Sequence, residues 1–294
     1  MCDILVRLVA IVGVGKMGLW FCNYFSKKHN YEVFLYDRRK INLDSNKYHN
    51  KVTICKSFKT CVEKADIVIV CVPIKLTIPV INKCVSRMKN DACIIEISSL
   101  KSDIFNSLLK IPDHLIPISI HPMFGPGVKN LRDTKILVIP IRNENKEQNL
   151  VKSLFRETRT IVIKDPQTHD AIMAILLGMV YYINLLLVST LSRENITLLK
   201  RVSGTTFYLQ KLLFESILTD HSSLITSLLA DNRQLVRHLK KYNVEAAKLF
   251  GMITNDRKML EKRINQIKKG YSNKRDIRSS YEKMYSIISK MKNE

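Results

Sequence analysis

The amino-acid sequence predicts an α/β protein, in which a doubly wound parallel sheet is followed by an all-α C-terminal domain. Two observations predict this class. Seven short apolar runs recur up to residue 163, and helical patterns separate several of them. From Asp165 onward the strand signals fade and helical periodicity continues to the end. We therefore expect a sheet domain at residues 1–164 and a helical domain at residues 165–294.

The apolar runs are predicted to be strands of the sheet. They are continuous rather than alternating, as is typical of parallel strands that helices cover on both faces. Ligands bind such sheets beyond the carboxyl ends of the strands, so the residues that follow each run are the candidates for function. The runs span residues 8–12, 32–36, 65–73, 92–97, 115–120, 136–140 and 160–163.

The charge of the chain is strongly positive. Its net charge is +22, and residues 257–294 hold 12 Lys or Arg against 4 Asp or Glu. A basic stripe could neutralise nucleic-acid phosphates, but the sequence has no zinc pattern, no aromatic-rich RNA motif and no clear helix-turn-helix. We therefore expect a solvated basic face on the C-terminal helices and an anionic small molecule as ligand, and we do not expect nucleic acid.

The cysteines and the N-terminus indicate a cytoplasmic protein. Seven cysteines are scattered through the first third of the chain, and none forms a C-x-x-C pair with a partner pair. Reduced thiols fit this pattern better than a disulfide framework. The apolar stretch from Leu8 turns directly into glycines, so we expect no signal peptide.

Residues 171–191 form a long stretch without charge. Its 21 residues are about the number that spans a bilayer. However, Asn184, Ser189 and Thr190 interrupt it, and Asp165 and Pro166 precede it as a typical N-cap and first-turn pair. We favour a helix buried at the centre of a domain or a dimer over a membrane span. A homodimer with interlocked helical domains is expected.

A dinucleotide site is predicted where the first run ends. Gly13-Val14-Gly15-Lys16-Met17-Gly18 is a G-x-G-x-x-G motif between a strand and a helix, as in Rossmann domains. The second run ends at Asp37, 19 residues after Gly18, where an acidic residue binds the ribose hydroxyls. Asp37 favours NAD over NADP, although Arg38 and Arg39 could hold a 2′-phosphate. The expected NAD-binding residues are Gly13, Gly15, Lys16, Met17, Gly18, Asp37, Arg38, Val72 and Pro73.

A histidine is predicted at the same edge of the sheet. His121 begins the stiff sequence HPMFGP, which follows the run at 115–120, and Ser99 and Lys101 follow the run at 92–97. We expect His121 to lie in a rigid loop next to the nicotinamide. The alternatives are a core histidine in a turn, a helix N-cap for Ser98 or Ser99, and a solvated first-turn lysine for Lys101.

The glycine motif, the sequence EISSLK at 96–101, HPMFGP at 121–126 and the pair His169-Asp170 together resemble the prephenate dehydrogenase family, and its archaeal members in particular. The resemblance covers most of the chain. It implies oxidation of prephenate by NAD, with loss of CO2, to 4-hydroxyphenylpyruvate in tyrosine biosynthesis. It also implies that His121 accepts a hydrogen bond from the substrate hydroxyl and that Ser99 orients His121. The substrate-binding residues would be Ser99, Lys101, His121 and Tyr181, and no metal is expected.

The chain departs from the family pattern at two positions. Tyr181 stands where family members commonly have a second histidine, and Tyr208 stands where a substrate-binding arginine is common. The cation for the side-chain carboxylate is therefore open, and the candidates are Lys211, Arg201 and Arg233.

Two further interpretations concern the function of the whole chain and the pair His169-Asp170. The chain could be an arogenate dehydrogenase or another β-hydroxyacid-type dehydrogenase, or a basic nucleic-acid-binding protein that retains a Rossmann domain. For His169-Asp170 we expect a charge that complements the dipole of its own helix, rather than a contact near the active site.

Overall fold

The computed structural model describes residues 6–43, 51–272 and 277–292. In this part of the chain one eight-stranded sheet has the order β3-β2-β1-β4-β5-β6-β7-β8. All seven predicted runs contain a strand, and the short β3 is an additional one. The strands are β1 (Arg7–Val12), β2 (Tyr31–Tyr36), β3 (Val52–Ile54), β4 (Ile67–Val70), β5 (Cys93–Glu96), β6 (Ile116–Pro122), β7 (Lys135–Val138) and β8 (Arg159–Val162).

The sheet is parallel except at one pairing. The five pairings along β3-β2-β1-β4-β5-β6 are parallel, β6 and β7 pair antiparallel, and β7 and β8 pair parallel. Strand β1 has β2 on one side and β4 on the other, so the strand order reverses there. This reversal places a ligand crevice at the carboxyl ends of β1 and β4. The predicted doubly wound α/β sheet is confirmed.

Helices flank the sheet and bury both of its faces. In β1, Val9 and Ile11 belong to one apolar core, whereas Ala10 and Val12 belong to the other. This burial on both sides explains why the strand sequences are continuously apolar. The helices between the strands are α1 (Lys16–Ser26), α2 (Phe58–Val62), α3 (Ile74–Val85), α4 (Ser102–Leu109) and α5 (Glu144–Leu154).

The described chain divides into two compact units. The first comprises residues up to Met173 together with Thr226–Asn232, and the second comprises Ala174–Ile225 and the residues from Arg233. The first unit thus extends beyond the sheet to include α6 (Pro166–Met173). The predicted boundary after residue 164 follows the last strand, and as a division of function it stays a prediction.

Within its described residues the second unit is helical, as predicted. Its elements are a π-helical segment (Ala174–Met179), α7 (Val180–Leu191), α8 (Ile196–Val202), α9 (Thr205–Leu218), α10 (Ser222–Thr226, whose last residue belongs to the first unit), α11 (Leu235–Asn255), α12 (Arg257–Ser272) and α13 (Arg278–Lys292). A second π-helical segment, Ser227–Asp231, lies in the first unit.

Helices α6 and α7 join through the first π-helical segment into one helix, Pro166–Leu191. Asp165 caps it, because its Oδ1 accepts a hydrogen bond from the backbone N–H of Thr168 at 2.7 Å. By length and composition alone this helix could cross a membrane, with a mean hydropathy of 2.3 over its most apolar window. Only 22% of that window is buried. Many of its other residues are half-buried, so the single chain buries this helix only in part, and burial at the centre of a domain or a dimer stays a prediction.

The described cysteines are all free thiols, as predicted. Burial raises the pKa of Cys22, Cys84 and Cys93 to about 12, so these groups stay protonated. Cys2 lies outside the described residues.

Candidate active site

The three glycines of the loop after β1 have separate structural roles. Gly13 has a φ of +96°, and a Cβ there would lie 2.5 Å from the carbonyl oxygen of Cys71. A Cβ on Gly18 would overlap the carbonyl oxygen of Gly13, so only glycine lets α1 pack this close to the loop. A Cβ on Gly15 would meet no atom within 4 Å. The space above Gly15 is therefore open to a ligand.

This loop fits the pyrophosphate of a dinucleotide. Gly15 is the N-cap of α1 and offers no side chain to its first turn. The backbone N–H groups of that turn, which begins with Lys16 and Met17, therefore point toward the open space with the positive end of the helix dipole. On β4's side, Val72 borders Gly13, and Pro73 is the N-cap of α3. All these predicted residues gather at the carboxyl ends of β1 and β4.

Asp37 lies directly after β2, next to the glycine loop. Its Oδ2 accepts a hydrogen bond from the backbone N–H of Val14 at 2.9 Å, and its Oδ1 accepts from Arg39 Nε at 3.2 Å. Burial alone would raise the pKa of Asp37, but the hydrogen bonds from Arg39 and Val14 outweigh it and hold the pKa below its usual value. Asp37 is therefore an ionised acceptor, as binding of ribose hydroxyls requires.

A small cavity of about 270 Å³ opens beside Asp37. Its lining includes Val14, Leu19, Asp37, Arg39 and Ile41. Arg38 is exposed and is not part of this lining. Of the two arginines that the sequence offers after β2, Arg39 is thus the one that contacts Asp37.

His121 lies on strand β6, and the expectation of a loop is wrong. The antiparallel pairing with β7 continues through Pro122, and His121 pairs with Leu137. The side chain of His121 is almost fully buried, with 5% exposed. Its Nδ1 lies 3.0 Å from Nε2 of His169.

His169 and Asp170 form part of the surroundings of His121. His169 is completely buried, and its Nδ1 lies 2.8 Å from Oδ1 of Asp170. The two carboxylate oxygens of Asp170 also accept hydrogen bonds from the backbone N–H groups of Lys101 and Ser102, both at 2.9 Å. The expectation that this pair only complements the dipole of its own helix is therefore wrong. Asp170 instead caps the N-terminus of α4.

Lys101 is buried in the protein interior. Only 1% of its side chain is exposed, and its Nζ lies 2.5 Å from Oε1 of Glu96 and 2.7 Å from the carbonyl oxygen of Ile120. Ser119 Oγ donates a hydrogen bond to the same carboxylate. Both sequence interpretations of Lys101, as a substrate-binding residue and as a solvated lysine, need correction because the buried charge of Glu96 holds the amine inside. Glu96 is thus a buried partner of Lys101 that was not among the predicted site residues.

The contacts of Ser99 do not show whether it orients His121 or binds a substrate. Ser99 is half-buried at the carboxyl end of β5, and among the described residues no hydrogen bond joins it to His121. Ser98 contacts Thr77 through its hydroxyl, at 2.9 Å, and does not cap α4. The role of Ser99 in orienting His121 stays a prediction, since the described contact to that imidazole comes from His169.

Tyr181 and the candidate cations belong to the second unit. Tyr181 donates a hydrogen bond to Asp220 at 2.6 Å, and Lys211 forms an ion pair with Glu215 at 3.0 Å. Lys211 Nζ also lies over the ring of Tyr208. Arg201 is exposed. These contacts leave the substrate roles of Tyr181, Lys211, Arg201 and Arg233 as predictions.

The electrostatics of the cluster keep His121 uncharged. Burial lowers its pKa well below the usual 6.5, and the charge of Lys101 and the electrostatic effect of the neighbouring His169 lower it further. Burial also lowers the pKa of His169, although Asp170 opposes this shift. For Asp170 burial acts to raise the pKa, but the hydrogen bonds from His169, Ser102 and Lys101 prevail and lower it. His121 is thus a neutral imidazole, and Asp170, which contacts His169, is an ionised carboxylate. A neutral imidazole can accept a proton or a hydrogen bond.

Within the described residues, no cluster of His, Cys, Asp or Glu is suited to hold a metal ion.

Comparisons with known proteins identify the first unit. Residues 22–164 match the model of the nucleotide-binding domain of prephenate dehydrogenase. A probable arogenate/prephenate dehydrogenase of Methanocaldococcus jannaschii is 26% identical over 196 residues, which is 63% of this chain. That match covers 42% of the relative, so the chain spans about two fifths of its length.

Two solved structures share the fold. A prephenate dehydrogenase of Aquifex aeolicus, crystallised with hydroxyphenyl propionate and NAD+, has a TM-score of 0.70 at 18% identity over 92% of this chain and 99% of its own. Synechocystis arogenate dehydrogenase has a TM-score of 0.65 at 16% identity over 91% of this chain and 99% of its own. The sheet of this chain, its glycine loop and the match over residues 22–164 thus show that the first unit is similar to the nucleotide-binding domain of prephenate dehydrogenase.

Proposed function

We propose that this chain catalyses the NAD-dependent oxidative decarboxylation of prephenate to 4-hydroxyphenylpyruvate, a step of tyrosine biosynthesis. The observation that carries the proposal is a buried, neutral His121 on β6 of the nucleotide-binding unit, with its Nδ1 held by His169. The family of that unit supports the same reaction. The Aquifex aeolicus relative, whose structure holds a hydroxyphenyl compound together with NAD+, supports the substrate class.

NAD is the cofactor, and the glycine loop binds it. The loop would hold the pyrophosphate above Gly15, and Asp37 would hold the ribose hydroxyls. Because Asp37 is ionised, it also repels a 2′-phosphate, which favours NAD over NADP. Bound NAD supplies the acceptor for the hydride that leaves the substrate.

His121 binds the ring hydroxyl of the substrate. As the hydride leaves the ring carbon that carries this hydroxyl, positive charge develops on the oxygen, and the imidazole stabilises it by accepting the hydrogen bond. The ring carboxylate leaves as CO2, and the electron pair of the broken C–C bond completes the aromatic ring. The hydroxyl remains as the phenol of the product, so the reaction releases no net proton.

Arogenate is the second candidate substrate. It has the same ring and differs in its side chain, which carries an amine in place of the keto group. The Methanocaldococcus jannaschii relative, a probable arogenate/prephenate dehydrogenase, and the Synechocystis arogenate dehydrogenase favour this alternative. The ring chemistry of His121 is the same for both substrates.

The experiment that tests the proposal follows nicotinamide absorbance with NAD and either prephenate or arogenate. We expect turnover with prephenate and, in a His121→Asn variant, a loss of roughly 10²–10⁴-fold in kcat with unchanged affinity for NAD. Near-normal turnover in that variant would remove His121 from the mechanism. Salt-sensitive retention on DNA without turnover of either compound would instead favour a nucleic-acid-binding protein.

The proposed enzyme is a cytoplasmic homodimer. The long apolar helix Pro166–Leu191 is only partly buried in one chain, with Ile175, Leu176 and Leu186 each about half exposed. A second copy of the helical unit would bury these side chains without a membrane. Free buried thiols fit a reducing compartment.

A further inference from the structure

We propose that Asp170 and His169 fix the tautomer of His121, so that His121 carries its proton on Nδ1 and presents Nε2 as a lone-pair acceptor. In this assignment His169 and Asp170 are positioning residues that act through His121. The assignment follows from a count of donors and acceptors along the buried chain of contacts. Its catalytic consequence, though not the tautomer itself, rests on the proposed function.

The carboxylate of Asp170 can only accept hydrogen bonds. Its two oxygens receive the backbone N–H groups of Lys101 and Ser102 at 2.9 Å, at the positive end of the α4 dipole. These donors favour the ionised carboxylate, and their hydrogen bonds keep its pKa low. An ionised carboxylate offers no proton to a neighbour.

The carboxylate therefore determines the tautomer of His169. Oδ1 of Asp170 lies 2.8 Å from Nδ1 of His169, so the proton of that hydrogen bond must belong to the imidazole. A neutral imidazole carries only one N–H. With Nδ1 protonated, Nε2 of His169 is left with its lone pair as an acceptor.

His169 in turn determines the tautomer of His121. The acceptor Nε2 of His169 lies 3.0 Å from Nδ1 of His121. Two lone pairs at this distance would repel each other, so Nδ1 of His121 carries the proton and donates it. Because burial and the charge of Lys101 keep His121 neutral, its Nε2 bears the lone pair. This is the atom that can accept a hydrogen bond from a substrate hydroxyl.

The same cluster holds the backbone that carries His121. Lys101 Nζ donates to the carbonyl oxygen of Ile120, the residue before His121, at 2.7 Å, and Glu96 balances the charge of Lys101. The N-terminus of α4 thus fixes both the strand and, through Asp170, the proton of the imidazole. His121 is set in rotamer and tautomer before any ligand binds.

The test measures the tautomer directly, by NMR of 15N-labelled histidine in the full chain, with a His121→Asn variant to assign the signals. Two variants of similar size separate hydrogen bonding from packing. His169→Gln keeps an oxygen that can accept from Nδ1 of His121, whereas His169→Met fills a similar volume without a strong acceptor. Both variants are also assayed with prephenate and with arogenate, and their folding is checked by thermal unfolding.

We expect Nδ1–H on His121 in the parental protein and in His169→Gln, with kcat of His169→Gln within a few-fold of the parental value. In His169→Met we expect a mixture of tautomers and a kcat at least about 10-fold lower, with up to about 10⁴-fold as the limit seen when an orienting group is lost. The KM for NAD should not change in either variant.

The failures of the two proposals are distinguishable. Nε2–H on His121 in the parental protein overturns the tautomer assignment, whatever the turnover and whether or not the variants fold. Equal kcat in folded His169→Met and His169→Gln overturns the positioning role. Nδ1–H on His121 without turnover of prephenate or arogenate supports the tautomer assignment, and it refutes the proposed function alone.

Discussion

His121 is surrounded by groups that disfavour its charged form: burial has the largest effect, followed by the charge of Lys101 and by His169. Its pKa therefore lies well below the usual 6.5. Since a lowered pKa means that protonation requires a lower pH, the neutral form persists as the pH falls through 6.5. We expect kcat/KM to stay constant across this range and to fall only at more acidic pH.

The measurement for this prediction is a pH–rate profile of kcat/KM. A Lys101→Met variant provides the comparison, because removal of the cation should raise the pKa of His121 and move the acidic limb of the profile to higher pH. A parental limb centred at or above 6.5, or one that does not move in this variant, would contradict the electrostatic account.

The ion pair between Lys101 and Glu96 is also expected to stabilise the fold against loss of either partner. Their side chains are 1% and 0% exposed, so Lys101→Met leaves a buried carboxylate without its cation. Such losses cost about 3–5 kcal/mol of unfolding free energy. Lys89→Met is the matched control, because Lys89 pairs with Asp66 where the side chains are 45% and 30% exposed, and exposed pairs contribute less than about 1 kcal/mol.

Denaturant unfolding of both variants at one protein concentration measures this difference. Equal losses of unfolding free energy in Lys101→Met and Lys89→Met would show that the buried pair stabilises the fold no more than the exposed pair does.

Substitutions in the glycine loop and α1 can distinguish effects on NAD binding from effects on the stability of the fold. Gly15 has a φ of −78°, which alanine adopts without strain, and a Cβ there would meet no atom. Gly15→Ala should therefore change the unfolding free energy by less than about 0.5 kcal/mol. Its methyl group would occupy the space of the pyrophosphate, and we expect the Kd for NAD to rise at least about tenfold, equivalent to about 1.4 kcal/mol.

Gly18→Ala is the contrasting variant. Its Cβ would overlap the carbonyl oxygen of Gly13. Because neither atom can rotate away, α1 must move away from the loop. A loss of about 1–3 kcal/mol in stability is expected. NAD binding can be followed by the fluorescence of Trp20, the single tryptophan, which lies on α1. Unchanged NAD affinity in Gly15→Ala would argue against pyrophosphate binding at the loop.

The strands were predictable because parallel strands buried on both faces have a continuous apolar sequence. Strand β3 is the exception: it has three residues at the edge of the sheet, and Thr53 and Ile54 are exposed, so no apolar run marks it. The extent of β6 was also missed. Its last two residues, His121 and Pro122, are paired by β7, and the sequence near Pro122 suggests a loop instead.

The site was predictable only where its contacts are local in sequence. Gly13, Gly15 and Gly18 lie within six residues, and Asp37 follows at a fixed distance, so a spaced motif identifies them. His121 and His169 are 48 residues apart, and Asp170 and Lys101 are 69 apart. No periodicity connects such distant positions. The sequence therefore indicates these residues as candidates but does not show which of them are in contact.

Across the described residues of the whole molecule, most of the exposed large apolar side chains lie on the helical unit. Large apolar side chains that are at least half exposed recur along its helices. They include Ile175, Leu176, Leu198, Val202, Leu218, Val236, Val244, Phe250, Ile253, Met259 and Ile287. This surface, and not the nucleotide-binding unit, is where the proposed homodimer would form.

Sedimentation or light scattering of the protein without detergent tests the dimer. We expect a mass of about twice the 34.0 kDa of one chain. Leu186→Glu on α7 should shift the protein to monomers, because a buried carboxylate at an interface costs several kcal/mol. Leu109→Glu is the matched control: Leu109 is also 46% exposed but lies on α4 of the nucleotide-binding unit, and this variant should remain a dimer. A parental protein that is monomeric in water would refute the dimer. A protein that needs detergent to stay in solution would also refute it and would favour a membrane location for the apolar helix.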